Sequence, residues 1–173
     1  INEKASASLS SGTITNCLGP TGAVYVSNKS TFTINDGTIS ANTAAENGGA
    51  VKVLSGGTFN MNGGRLYRNN CFTEGGAVHN SGTFNMNGGT IDYNTSVKEG
   101  GGVRNKNKMT MSGGTIQNNS SSDEGGGIFS ANTDMNKGEC TLEITSGKIL
   151  NNSAENSGGG IGSYYGATLR IGT

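Results

Sequence analysis

The chain has 173 residues; 31% are hydrophobic, 14% charged and 6% aromatic, with 31 Gly, one Pro, no Trp and a formal net charge of zero. An ordinary compact domain is nearer half apolar and a quarter charged, so a thick globular core is excluded, and disorder is disfavoured because it couples low hydrophobicity to high net charge. The charge balance leaves no field to draw in nucleic acid or an anionic membrane surface, and no apolar run approaches the roughly 18 residues of a membrane span.

Read from the N-terminus, two blocks alternate. The chain enters at Ala7-Ser8-Leu9, the second half of the first block, and reaches Ile14. The second block follows as Thr21 to Val24 (TGAV) and returns as Gly48 to Val51, Gly75 to Val78, Gly100 to Val103, Gly125 to Ile128 and Gly158 to Ile161. Between these lie the complete first blocks TFTINDGTI, TFNMNGGRL, TFNMNGGTI, KMTMSGGTI and TLEITSGKI. Aligned, they form apolar columns: Phe32, Phe59, Phe84, Met109 and Leu142; Ile34, Met61, Met86, Met111 and Ile144; and Ile14, Ile39, Leu66, Ile91, Ile116 and Ile149.

The spacing separates rigid from tolerant segments. The Phe/Met column stands seven residues before the Ile column in every complete unit, and the Ile column stands 12 before the Gly-Gly-Val column in all units but the first, which has 10. Only the return from Val to Phe varies, through 8, 8, 6, 6, 14 and 8 residues, so units are 25 or 27 residues long with one of 33. Insertions confined to one connection are the mark of a solenoid. Each block alternates apolar and polar residues over three to five positions between Gly and Asn, which makes a short strand with one buried face.

The expectation is an all-β chain: one right-handed parallel β-helix over residues 1–173, with five to six coils of 25–27 residues and three short strands per coil. Stacked about 4.8 Å apart, such coils make a rod roughly 25 to 30 Å long. Both ends fall in mid-coil, which reads as an excerpt of a longer solenoid. Residues 129–140 form the one long connection.

Two polar columns support the stack. Asn42, Asn69, Asn94, Asn119 and Asn152 stand three residues after the Ile column, where amides can hydrogen-bond from coil to coil as a ladder. Asn35, Asn62, Asn87, Ser112 and Thr145 follow the Met column. Ala44, Cys71, Ser96, Ser121 and Ala154 form a column of small residues suited to a tight inward corner. The three cysteines, Cys17, Cys71 and Cys140, lack any CxxC pair and read as small buried fillers.

The GGA(V/I) motif, the T-F-x-M-x-G-G-T-I block and the following N-T-A or N-x-S resemble the repeats of bacterial surface-exposed right-handed β-helix proteins, adhesins and polymorphic membrane proteins among them. The resemblance runs from about Ala7 to Thr173. It implies a secreted or cell-surface setting and a non-catalytic role as rigid adhesin stalk or binding scaffold, with a host or cell-surface protein or glycan as partner and a monomeric chain. Polysaccharide-active enzymes share the fold, and fold does not fix function.

Four surface features carry candidate chemistry. Lys52, His79 and Arg104 stand beside the Val column on three successive coils, a basic stripe suited to an anionic sugar, or solvated strand positions. The turns before the Gly pairs carry Glu74, Glu99, Asp123 and Glu124, whose stacked like charges a Ca²⁺ with oxygen ligands would relieve, or which splay into water or pair with Lys98 or Arg104. The long connection holds Asn132, Asp134 and Lys137, a protruding loop of the kind that binds, or a tolerated insertion. Thr31, Thr58, Thr83 and Thr141, with Thr13, Thr38, Thr90 and Thr115, form flat hydroxyl columns resembling ice-binding faces, although Thr is also a favourable outward strand residue.

Overall fold

Alternation of buried and exposed side chains turns each block into a strand three to five residues long, and Gly or Asn ends it before a helix can nucleate. The computed structural model describes residues 4–132, 140–164 and 166–172. Its strands lie parallel in four sheets, one of seven rungs and three of six, each strand pairing with its equivalent one coil before and one coil after. Among the described residues there is no helix, so none is long and apolar enough to cross a membrane.

A representative coil shows the path. Thr83–Met86 lies in the Phe/Met sheet, Thr90–Asp92 in the Ile sheet, Thr95–Ser96 in a short third sheet and Val103–Asn105 in the Val sheet. The coil therefore has four strands where the periodicity predicts three. The additional one is the small-residue column, which pairs in register from Ala44 through Cys71, Ser96 and Ser121 to Ala154. Two residues are too few to show alternation, which is why the column reads as a corner in the sequence.

Register is uniform along the Phe/Met and Ile sheets. Phe32, Phe59, Phe84, Met109 and Leu142 pair in sequence, as do Ile39, Leu66, Ile91, Ile116 and Ile149. These columns and the Val column fill a single narrow core, in which Phe59, Met61, Leu66, Phe84, Ile91 and Met109 have no exposed surface. Each such side chain contributes about 1.5–3 kcal/mol by leaving water. Phe59 stacks on Phe32 at 5.7 Å and on Phe84 at 4.9 Å, with planes 16° and 9° apart. Near-parallel rings one coil apart follow directly from the register.

The Gly pair makes the corner before the Val strand. Gly75 takes φ 72°, and a Cβ on Gly76 would strike the carbonyl oxygen of Gly101 in the next coil. Both positions thus reject a side chain, one by conformation and one by close approach. The first coil, two residues short in this connection, shows a register shift between Gly19 and Thr21. Cys71 and Cys140 are buried as expected, whereas Cys17 is exposed. It occupies the Asn-ladder position of the first coil, and its backbone N–H donates to Asn42 Oδ1 at 2.9 Å.

Candidate functional site

The Val sheet places Lys52, His79 and Arg104 in direct register on three successive coils, as the spacing requires. They do not form a solvated stripe. Lys52 is half-buried, but His79 and Arg104 retain only 5% and 1% of their surface. Outward from the core is not outward to water here, because the turn bearing Glu74 and Glu99 lies over this face. Glu74 Oε2 sits 3.4 Å from His79 Nε2, 3.4 Å from Arg104 Nε and 3.8 Å from Lys106 Nζ, and Glu99 Oε2 is 3.9 Å from Arg104 Nε. Arg104 Nη1 donates to the carbonyls of Asn105 at 3.0 Å and Ala131 at 2.9 Å, and the guanidinium lies 4.7 Å from the Phe129 ring. The basic stripe expected to grip an anionic sugar is therefore a buried polar cluster in which His79 and Arg104 are already engaged.

Its electrostatics follow from burial and proximity. The hydrogen bond from His79 holds the Glu74 carboxyl down at about 2, with Arg104 and Lys106 adding to it against desolvation. Burial lowers the His79 pKa, so the imidazole is neutral. Burial and the nearby Glu74 charge raise Glu99. His79 Nδ1, Glu99 Oε2 and Arg104 Nε are buried and make no hydrogen bond among the described residues. One carboxylate pushed down beside one pushed up is the pattern of two groups that cannot both ionise freely. The relief of like charge expected from Ca²⁺ comes at Glu74 from the protein's own cations.

The other acidic turn residues do not join them. Asp123 Oδ1 accepts from Asn156 Nδ2 at 2.8 Å, and Glu124 pairs with Ser157 through its backbone. Among the described residues no three His, Cys, Asp or Glu side chains gather as a metal site. Of the loop candidates, Asn132 follows the strand Ile128–Ala131, and Asp134 and Lys137 lie outside the described residues. The Thr columns are in register but broken: Lys108 stands between Thr83 and Thr141, and Arg65 between Thr38 and Thr90.

The Asn ladder is complete. Each amide donates to the next at 2.9–3.0 Å from Asn42 through Asn69, Asn94 and Asn119 to Asn152. Each Oδ1 also accepts the backbone N–H of the preceding rung, and each Nδ2 also donates to a carbonyl of the Ile strand, as Asn94 does to Leu66 at 3.0 Å. A second, exposed ladder runs through Asn35, Asn62, Asn87 and Ser112. A third lies outside the aligned polar columns: Asn80 donates to Asn105 at 2.8 Å and Asn105 to Ser130 at 3.0 Å, all fully buried. Its signal is the replacement of Val26 and Val53 by Asn80 and Asn105 two residues after the Val column.

The four in-register sheets and the amide ladders define a parallel β-solenoid repeat protein. The repeat described as the Chlamydia polymorphic membrane protein repeat matches residues 113–131, which run from the Gly-Gly-Thr-Ile corner through the ladder residue Asn119 to the Gly-Gly-Gly-Ile corner. Over that stretch the chain is similar to the repeats of those proteins. No curated protein and no solved structure matches it.

Proposed function

We propose that the chain is a rigid, non-catalytic module of a cell-surface or secreted protein, a stalk or scaffold that presents its flanks to a protein or glycan partner. The observation that supports this reading best is the unbroken register of the Phe/Met and Ile columns through about six coils, with length variation after the first coil confined to one connection. Such a stack transmits position along its axis and leaves the outward side chains free to vary. Similarity to a surface-protein repeat agrees with that setting. The alternative, an anionic glycan held by Lys52, His79 and Arg104, loses two of its three contacts to the ionic cluster.

Beads coated with the folded chain test the binding half. Attachment to cultured epithelial cells should saturate and be displaced by free chain. Attachment no greater than that of albumin-coated beads would leave a stalk and remove the recognition role.

A further inference from the structure

The corner between the Ile sheet and the short sheet has one demanding backbone position. Asn16, Ala41, Arg68, Tyr93, Asn118 and Asn151 occupy it on successive coils, all with φ between 52° and 57°. Asn tolerates the left-handed conformation best among residues with side chains, and it fills three of the six positions. Two adjacent coils instead carry Arg68 and Tyr93, large residues for which this conformation is strained. Local strain that the fold does not require points to a use for those side chains.

The residues around them fit such a use. Outward positions along the same two coils read Arg68, Asn70, Phe72 and, one coil on, Tyr93, Thr95, Val97. Tyr93 is 49% exposed, Phe72 55% and Val97 51%. On the coils to either side the same positions are Ala41, Thr43, Ala45 and Asn118, Ser120, Ser122, so the bulky residues form a raised platform between low shoulders. Tyr67 meets Tyr93 edge-on at 5.9 Å and is itself covered by Arg65 at 3.9 Å and Arg68 at 5.0 Å. Asp92 fixes Arg65 through two hydrogen bonds, of 2.8 and 2.5 Å, which cancels that charge and holds the aromatic pair in place. Between the two ridges, Thr95 Oγ1 donates to Asn70 Oδ1 at 2.7 Å. Arg68 and Lys98, at opposite edges, make no ion pair among the described residues.

We propose that this platform binds a carboxylated oligosaccharide, with Tyr93 stacking on a sugar ring, Asn70 and Thr95 meeting hydroxyls and Arg68 pairing with the carboxylate. The proposal rests on the reading of the chain as a binding scaffold and assigns that scaffold its contact surface. An exposed aromatic beside an amide, a hydroxyl and an uncompensated guanidinium suits a ring with an apolar face, hydroxyl rim and negative charge. The span from residue 68 to 72, roughly 13 Å at 3.3 Å per residue, suits a short chain of sugars better than a single ring.

Titration calorimetry of the folded chain with trigalacturonate and 3′-sialyllactose, beside methyl-esterified trigalacturonate and lactose, tests this. At least one acidic probe should bind tenfold or more tightly than its neutral counterpart. Arg68→Asn should abolish that preference, and Tyr93→Asn should weaken acidic and neutral probes together. Both substitutions place Asn where the backbone favours it, so the double variant should melt no lower than the native chain while binding at least tenfold more weakly. Undiminished binding by the double variant overturns the site, as does binding of neither acidic probe or equal affinity for a neutral counterpart. The bead assay reads the scaffold separately: cell attachment that survives the double substitution would leave the scaffold standing and locate its contact elsewhere.

Discussion

Asn94→Ala should be among the most costly single truncations on this chain, and the cost can be worked from its bonds. Asn94 is fully buried. Its Oδ1 accepts from Asn69 N at 2.8 Å and Asn69 Nδ2 at 3.0 Å, and its Nδ2 donates to Asn119 Oδ1 at 2.9 Å and Leu66 O at 3.0 Å. Removing the amide leaves the Asn69 backbone N–H with no acceptor, whereas Asn69 Nδ2 keeps the Ile39 carbonyl at 3.0 Å. One orphaned buried donor costs about 1–3 kcal/mol and each of the three further lost bonds about 1 kcal/mol, for a total of about 4–6 kcal/mol. At about 2–4 °C per kcal/mol for a chain of this size, Tm should fall by roughly 8–24 °C in a circular-dichroism melt. Asn62→Ala is the control, because Asn62 donates to Asn35 and accepts from Asn87 at the same 2.9 Å but in water. It should cost under about 1 kcal/mol. Equal losses from the two variants would refute the argument that burial, not ladder geometry, sets the energy.

Other substitutions probe the remaining terms. Ile91→Asp puts a charge at a fully buried position in the core and should melt several coils, seen as loss of the cooperative transition. Gly76→Ala meets the Gly101 carbonyl and should lower Tm by several degrees, since backbone must move. Glu74→Gln leaves Arg104 without its nearest carboxylate and should destabilise by about 3 kcal/mol at pH 7. For pH, Glu74 is depressed from 4.5 to about 2, so its contribution is complete above about 4.5 and fades as pH falls toward 2. His79 is also depressed: the unfolded chain takes up a proton near 6.5 that the buried imidazole refuses, so stability declines as pH falls below 6.5. Glu99, raised by burial, opposes this trend at lower pH. His79→Gln should therefore lose less Tm between pH 7 and 5.5 than the native chain.

The fold was legible because period, column and corner residues all point the same way. Phe-x-Met alternation and fixed seven-residue spacing define strands and register without any tertiary information, and the Asn column announces its own ladder. The third sheet was hidden because Asn70–Cys71 and its equivalents on the three following coils are two residues long, too short to show alternation. The candidate site is obscured for a different reason. Position in a strand says whether a side chain leaves the core, and not what lies above it. His79 and Arg104 do leave the core, and they meet Glu74 and Glu99 there. Stacked carboxylates and a basic stripe, taken separately, suggest calcium and an acidic ligand. One buried cluster satisfies much of both. The platform at Tyr93 was equally invisible, since only the backbone shows that Arg68 and Tyr93 sit where Asn belongs.

The central claim is the in-register stack, and a spin-label distance tests it most directly. Thr31 and Thr168 lie at the same outward position of the Phe/Met sheet, connected through Thr58, Thr83, Lys108 and Thr141. Five steps of about 4.8 Å put their Cβ atoms about 24 Å apart, and the 33-residue unit adds nothing to that length. With Cys17→Ser in place and labels at both threonine positions, double electron–electron resonance should give one narrow distribution centred near that value after allowance for the label arms. A broad distribution, or one lengthened by a further coil spacing or more, would contradict the stack.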